Sequence, residues 1–185
     1  MLFRFILLIM AVVTHAQMGG FIVGDVITSI NKYPHSALLM VRCVYGENKI
    51  STTMYICGSS IVNQRILLTA AHCIVHCVKH GTTMTVSMGH EHRENGVLRS
   101  IDRFVWHGAY NDYTLAYDIG LMRTTEAVQF NSKISRVAIM ENPPYQEPAM
   151  IAGWGITNVS LSVTRFIVIS NLSEIFLSWL YEYNT

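Results

Sequence analysis

The chain has 185 residues, 51% of them hydrophobic and only 14% charged, with a formal net charge of +1. That balance leaves no electrostatic footprint for nucleic acid or an anionic membrane, and so much apolar content with so little charge excludes intrinsic disorder. The length suits one core of ordinary domain size, while four cysteines fit either two disulfides or one metal site, depending on the compartment.

The N-terminus speaks to the compartment. A single basic residue, Arg4, precedes an uncharged apolar run from Phe5 to Val13, which closes on Thr14-His15-Ala16. Basic start, apolar middle and small residues at a cleavage position are the marks of a secretory signal peptide over residues 1–16. The run is about half the roughly 20 apolar residues that a membrane-spanning helix needs. A secreted, extracellular product is therefore expected, and its cysteines are read first as disulfides. The alternative is a buried N-terminal helix.

From Phe21 onward, short apolar runs are cut by turn residues without a sustained helical period. Ala37 to Val41, Tyr55 to Val62, Arg65 to Thr69, Met84 to Met88, Ile101 to Trp106, Ile119 to Met122 and Met150 to Ala152 follow in order. Many short, closely spaced strands rich in Thr, Val, Ile and Tyr predict an all-β sandwich or barrel. Glu141 to Pro148 is Pro-rich and reads as a surface loop. After Trp154 the character changes: Val159 to Leu180 is apolar and Ser-rich, and Arg165 and Glu174 interrupt it. It lacks the Gly-bounded runs of the preceding chain.

The most informative stretch runs from Cys57-Gly58-Ser59-Ser60 to Thr69-Ala70-Ala71-His72-Cys73. Two strands and a turn of small residues present His72, and a Cys57–Cys73 disulfide would fix that turn. A histidine so held is a candidate general base; on composition alone, a half-buried structural histidine is the other reading. Further on, Asp118 opens the apolar segment Tyr117-Asp118-Ile119-Gly120-Leu121-Met122. A buried carboxylate must be hydrogen-bonded, and an imidazole N–H is a natural partner. A solvent-facing turn Asp is the alternative.

Ile22-Val23-Gly24-Asp25, the Cys57…Thr69-Ala70-Ala71-His72-Cys73 block, Asp118-Ile119-Gly120-Leu121 and Ala152-Gly153-Trp154-Gly155 resemble, in order and spacing, the trypsin/chymotrypsin family of serine endopeptidases. The resemblance covers about residues 22 to 158. It implies a chymotrypsin-like double β-barrel with the active site in the cleft between the barrels, and protein or peptide substrates. It places His72 as general base and Asp118 as the carboxylate orienting it. It also implies a zymogen, with Gln17 to Phe21 as a short propeptide and Ile22 as the activated terminus. Phe21 stands where a trypsin-like activator would need Arg or Lys, and Asp25 replaces the second glycine of the family's Ile-Val-Gly-Gly.

The family nucleophile sits in Gly-Asp-Ser-Gly-Gly, whose backbone N–H groups also form the oxyanion hole. No Asp-Ser-Gly occurs in the sequence. Ser160, Ser162, Ser170, Ser173 and Ser178 lack flanking glycines, and Ser59 and Ser60 belong to the disulfide block. Removing a nucleophile alone costs about 10⁶ in rate, so these residues are expected to be inactive. Folds of this kind run roughly 200–250 residues, and the shortfall falls on the second barrel. The expected layout is a complete first barrel over 22–130, the first strands of an incomplete second barrel over 131–158, and a divergent tail over 159–185. A clipped gene model with the tail read from intron, a genuine short isoform, or a non-catalytic homologue acting as a secreted binding module would each account for it.

Metal binding is the rival chemistry. His72, His76 and His80, with Cys73 and Cys77, would form a stripe of zinc ligands on a helix. The secretory leader and the family resemblance give His72 and Cys73 other duties, so no metal or other cofactor is expected. Cys43 and Cys77 then remain for a second disulfide. His90, Glu91 and His92 stand where some family members bind calcium, but the segment from Gly89 to His107 is short for that loop, and no calcium site is assigned.

Overall fold

The computed structural model describes residues 26–45, 51–75, 82–139, 149–156, 164–172 and 181–183. The expected signal peptide, propeptide and Ile22, together with His76, Cys77 and His80, lie outside the described residues.

Among the described residues, ten strands and one α-helical turn follow in chain order, with short 3-10 turns at Ile30–Lys32 and Arg93–Asn95: β1 (Val26–Ile27), β2 (Ser36–Tyr45), β3 (Ser51–Ile61), β4 (Ile66–Thr69), α1 (His72–Val75), β5 (Thr83–Met88), β6 (Val97–Trp106), β7 (Gly120–Thr124), β8 (Ala149–Ile156), β9 (Thr164–Leu172) and β10 (Tyr181–Tyr183). The seven apolar runs read between Ala37 and Ala152 each fall within or against one of these strands. Antiparallel pairing runs β3-β2-β5-β6-β7-β4, and β4 pairs back onto β3 through Ser60↔Leu68 and Ile61↔Leu67, which closes a barrel. Closure removes the exposed sheet edges that invite aggregation. The N-terminal half of β3 also takes β10 along its side, with Tyr181 opposite Ile56.

The sides of β2 do different jobs, because successive strand residues point to opposite faces. Ala37, Leu39, Val41 and Cys43 enter the barrel core with Leu67, Val86, Met88 and Met122. Leu38 and Met40 look the other way and pack with Ile30, Tyr33, Ile56, Ala152 and Trp154. Ala152 and Trp154 belong to β8, the edge of a separate three-stranded sheet ordered β1-β9-β8. This sheet is open, so the structure combines one closed barrel with part of a second. β9 comes from the segment whose composition departs from the rest of the chain; it nonetheless pairs with β8 from Ala149↔Leu172 to Ile156↔Thr164, and with β1 at Val26↔Val168.

The sheets are joined through the loop after β5. Gly89 turns the chain there with φ +78°, and a Cβ on it would lie 2.7 Å from Ile134 Cγ1, so conformation and space both require glycine. The turn delivers Glu91, whose Oε1 accepts from Ser29 Oγ at 2.7 Å and from the Ile30 backbone N–H at 3.0 Å. The Glu91 carbonyl accepts from Trp154 Nε1 at 2.7 Å. One residue thus ties the N-terminal segment and β8 to the barrel.

The Ser29 hydroxyl, followed by the Ile30 N–H, lowers the Glu91 carboxyl from its ordinary 4.5 to about 2. A carboxylate depressed on folding stabilises above its ordinary value and loses that stabilisation as pH falls from about 4.5 through about 2. Glu91→Gln is therefore expected to lower unfolding free energy by on the order of 1 kcal/mol at pH 7. In urea unfolding over a pH series, the difference from the parent should shrink as pH falls below about 4.5 and vanish only below about 2.

Candidate active site

β4 ends at Thr69, whose hydroxyl donates to the Gly58 carbonyl at 2.8 Å and anchors the strand end to β3. Ala70 and Ala71 are buried; their small side chains let the backbone turn tightly into α1, where the Ile74 and Val75 N–H groups both donate to the Ala71 carbonyl. Cys57 and Cys73 form a disulfide across 16 positions, binding α1 to β3. In the chain-entropy account such a loop contributes about 3 kcal/mol. The Ser59 hydroxyl, beside it, is spent on the Ala37 carbonyl at 2.9 Å.

The other half of the site comes from the approach to β7. Leu115 and Tyr117 both hold left-handed backbone, with φ of 53° and 57°, a conformation that costs a non-glycine residue about 1–2 kcal/mol. The Ile119 N–H donates to the Tyr117 carbonyl at 2.8 Å, bending a tight turn around Asp118. Gly120 follows, and a Cβ there would stand 2.5 Å from Ile74 Cδ1 and 3.2 Å from the Val105 carbonyl. The absent side chain is what allows α1 to lie close over β7.

These elements bring His72 and Asp118 together. The His72 backbone N–H donates to Asp118 Oδ1 at 2.9 Å, and His72 Nδ1 lies 2.6 Å from Oδ2. Both side chains are withdrawn from water, His72 completely and Asp118 to 8% exposure. An ionised carboxylate only accepts, so the ring proton sits on Nδ1 and the lone pair is left on Nε2. Nε2 is buried and has no hydrogen-bond partner among the described residues. Leaving such an atom unpaired costs about 1–3 kcal/mol, and native structures keep few of them without a reason. Here the orphan is the basic nitrogen of an imidazole fixed in one tautomer and one orientation, the arrangement of a general base awaiting a proton donor.

Metal ligation does not fit this cluster. The Cys57, His72 and Cys73 donor atoms lie within 4.8 Å of one another, but the two sulfurs are bonded to each other and offer no thiolate. Cys43 is also disulfide-bonded; Cys77, its expected partner, is outside the described residues. Among the described residues no helix is long and apolar enough to cross a membrane.

Sequence reading missed the parts played by Gly120 and Tyr117 beside the pair, and by Glu91 between the sheets. Gly120 had a signal, a glycine inside an apolar strand run, which marks close backbone approach. Glu91 and the left-handed Tyr117 had none, because both depend on contacts far away in sequence.

A closed antiparallel barrel carrying a buried His–Asp pair after its β4 strand is the chymotrypsin-like class of fold. The Trypsin family model matches residues 26–175, well over half of the chain. The chain belongs to the trypsin family of serine proteases. It is 32% identical over 146 residues to Hypodermin-A of Hypoderma lineatum, covering 78% of this chain and 52% of the relative. To the clotting factor G beta subunit of Tachypleus tridentatus it is 33% identical, covering 67% and 41%. To a trypsin of Sarcophaga bullata it is 30% identical, covering 80% and 56%. The chain thus spans about half the length of these relatives. Among solved structures, the scabies mite inactivated protease paralogue S-D1 shares the fold with a TM-score of 0.64 at 17% identity, over 80% of this chain and 61% of that one.

Gly120→Ala is expected to push α1 away from β7 and to cost about 1–3 kcal/mol of stability as an overpacking change. Gly108→Ala is the control: a Cβ there meets nothing within 4 Å, and its effect should stay within about 0.5 kcal/mol. Urea unfolding of both variants measures the contrast.

Proposed function

We propose that this chain carries the general-base half of a serine endopeptidase site, with His72 as the base and Asp118 as the group that orients it. The buried Nε2 of His72, without a hydrogen-bond partner among the described residues, supports this reading most directly. In peptide-bond hydrolysis by such a site, Nε2 removes the proton of a serine hydroxyl as its oxygen attacks the scissile carbonyl. The proton then passes to the leaving amine, while the carboxylate stabilises the imidazolium between the two transfers. Asp118 is suited to that task because it holds both the ring and the main chain of His72. The ring cannot swing away to follow the proton.

The nucleophile and oxyanion donors require a Gly-Asp-Ser-Gly-Gly segment, and these 185 residues contain no Asp-Ser-Gly. On this reading they do not hydrolyse peptides by themselves. The apolar leader supports secretion, and the secreted, disulfide-bearing product would act on proteins or peptides, or bind them, outside the cell. Ile22, at the start of the family's activation motif, is the proposed terminus after cleavage. A second reading, a non-catalytic family member serving as a binding module, also draws on the missing nucleophile motif. It needs the barrel but no turnover.

A fluorophosphonate probe applied to the chain tests the proposal. No serine should be labelled. Labelling that disappears in His72→Ala would overturn the inactivity of these residues and reveal a nucleophile within them. If labelling is absent, recovery of a defined protein ligand by pull-down with both the parent and His72→Ala would favour the binding module.

A further inference from the structure

Asp118 is held from one side by His72, but the backbone that leads into it stands in an unfavourable place. Tyr117, immediately before it, has φ 57°, and the residue is 63% exposed. Burial of Tyr117 in a core therefore does not explain why the turn keeps this shape. A neighbour does: the His107 ring lies on the Tyr117 ring with centroids 4.8 Å apart and planes within 10°.

His107 is well placed to brace that turn. It is the first residue beyond β6, whose last residue, Trp106, pairs with Gly120 of β7. Its backbone N–H donates to the Ile119 carbonyl at 3.0 Å, carrying the barrel's ladder one step past both strands. Its Nδ1 accepts from the Ala109 N–H at 3.1 Å, which fixes the ring plane. The Tyr110 N–H closes the loop behind it by donating to the His107 carbonyl at 3.0 Å. His107 therefore grips both neighbours of Asp118, Ile119 through the main chain and Tyr117 through the ring.

We propose that His107 is a positioning residue for the His72–Asp118 pair, acting through its stack on Tyr117 to hold the turn that presents the Asp118 carboxylate. The inference rests on the reading of His72 and Asp118 as the base and its orienting group. It adds that the aim of the carboxylate is set from the end of β6 and not by His72 alone. The stack replaces the core packing that Tyr117 lacks, and Asp118 is thereby referred to the rigid barrel ladder.

Proton NMR of the full chain tests this without any need for catalysis. In the parent, the Nδ1 proton of His72, shared with Asp118 over 2.6 Å, should give a far-downfield resonance, and the His72 amide should exchange slowly. His107→Ala should broaden or abolish that resonance and speed His72 amide exchange about tenfold, an opening free energy lowered by about 1.4 kcal/mol. The amide of Val86, paired with Arg99 and Leu39 inside the barrel, should be unaffected. His107→Phe keeps a flat ring on Tyr117 and should restore the parent signal. Tyr117→Leu, which removes the stack from the other partner, should reproduce His107→Ala, with no further loss in the double variant.

A parent-like resonance and His72 exchange in His107→Ala would overturn the proposal. So would a loss in His107→Phe equal to that in His107→Ala, or equal acceleration at Val86, which would mark a general structural role. A parent chain with no downfield resonance would instead overturn the His72–Asp118 pair itself.

Discussion

Two hydrogen bonds to one carboxylate fix the geometry on which the site depends. Asp118 takes the backbone N–H of His72 on one oxygen and its ring on the other, so the position and the rotation of the imidazole share a single reference. Burying a carboxylate is costly unless its hydrogen bonds are made. Here the donors are built into a turn that the fold holds shut from several sides. The disulfide draws α1 onto β3, Gly120 lets it lie close to β7, and the His107 ladder bond sets the opposite strand end. Loosening any of these would move the ring relative to the carboxylate. That is why the residues supporting the pair are spread over several strands and not gathered near His72.

The same economy governs how the two sheets meet. β2 supplies alternate side chains to the barrel interior and to the packing under Trp154. The Trp154 indole is then pinned by its N–H to the Glu91 carbonyl, so a large apolar group is buried without stranding its one donor. Glu91 also receives Ser29 and Ile30. The N-terminal segment and the open sheet are in this way registered against the barrel by the same short loop.

Much of the barrel was legible in the sequence because barrel strands obey a local rule. The run Met84-Thr85-Val86-Ser87-Met88 alternates and stops at a glycine, and it is β5 with its turn. The Thr69-Ala70-Ala71-His72-Cys73 block could be read because small residues and a paired cysteine are what a tight turn beneath an imidazole requires. The segment beyond Trp154 reads less well. β9 lies in the Ser-rich segment that lacks Gly punctuation, and it is a strand through its pairing with β8 and β1; partner strands distant in sequence impose what local pattern does not announce. The same applies within the site. Nothing in the letters around Tyr117 signals left-handed backbone, since tyrosine has no preference for it; the bond from His107 to Ile119 and the ring stack exist only once β6 and β7 are side by side. Glu91 looked like one of a polar trio in a loop, and its role emerges only from Ser29, Ile30 and Trp154.

The two-faced character of β2 bears on how this sequence can diverge. Side chains alternate with a period of two, so inserting or deleting one residue just ahead of Ala37 would exchange the faces from there on. Leu38 and Met40 would be driven into the barrel and Ala37, Leu39 and Val41 turned toward Trp154, while Cys43 would leave the interior where its disulfide is made. An exposed strand could absorb such a slip by burying one side and wetting the other. From Ser36 to Val41, β2 has no wet side to spare. Its length is therefore frozen between Ser36 and Cys43, and changes of chain length among descendants of this sequence are confined to the connections on either side.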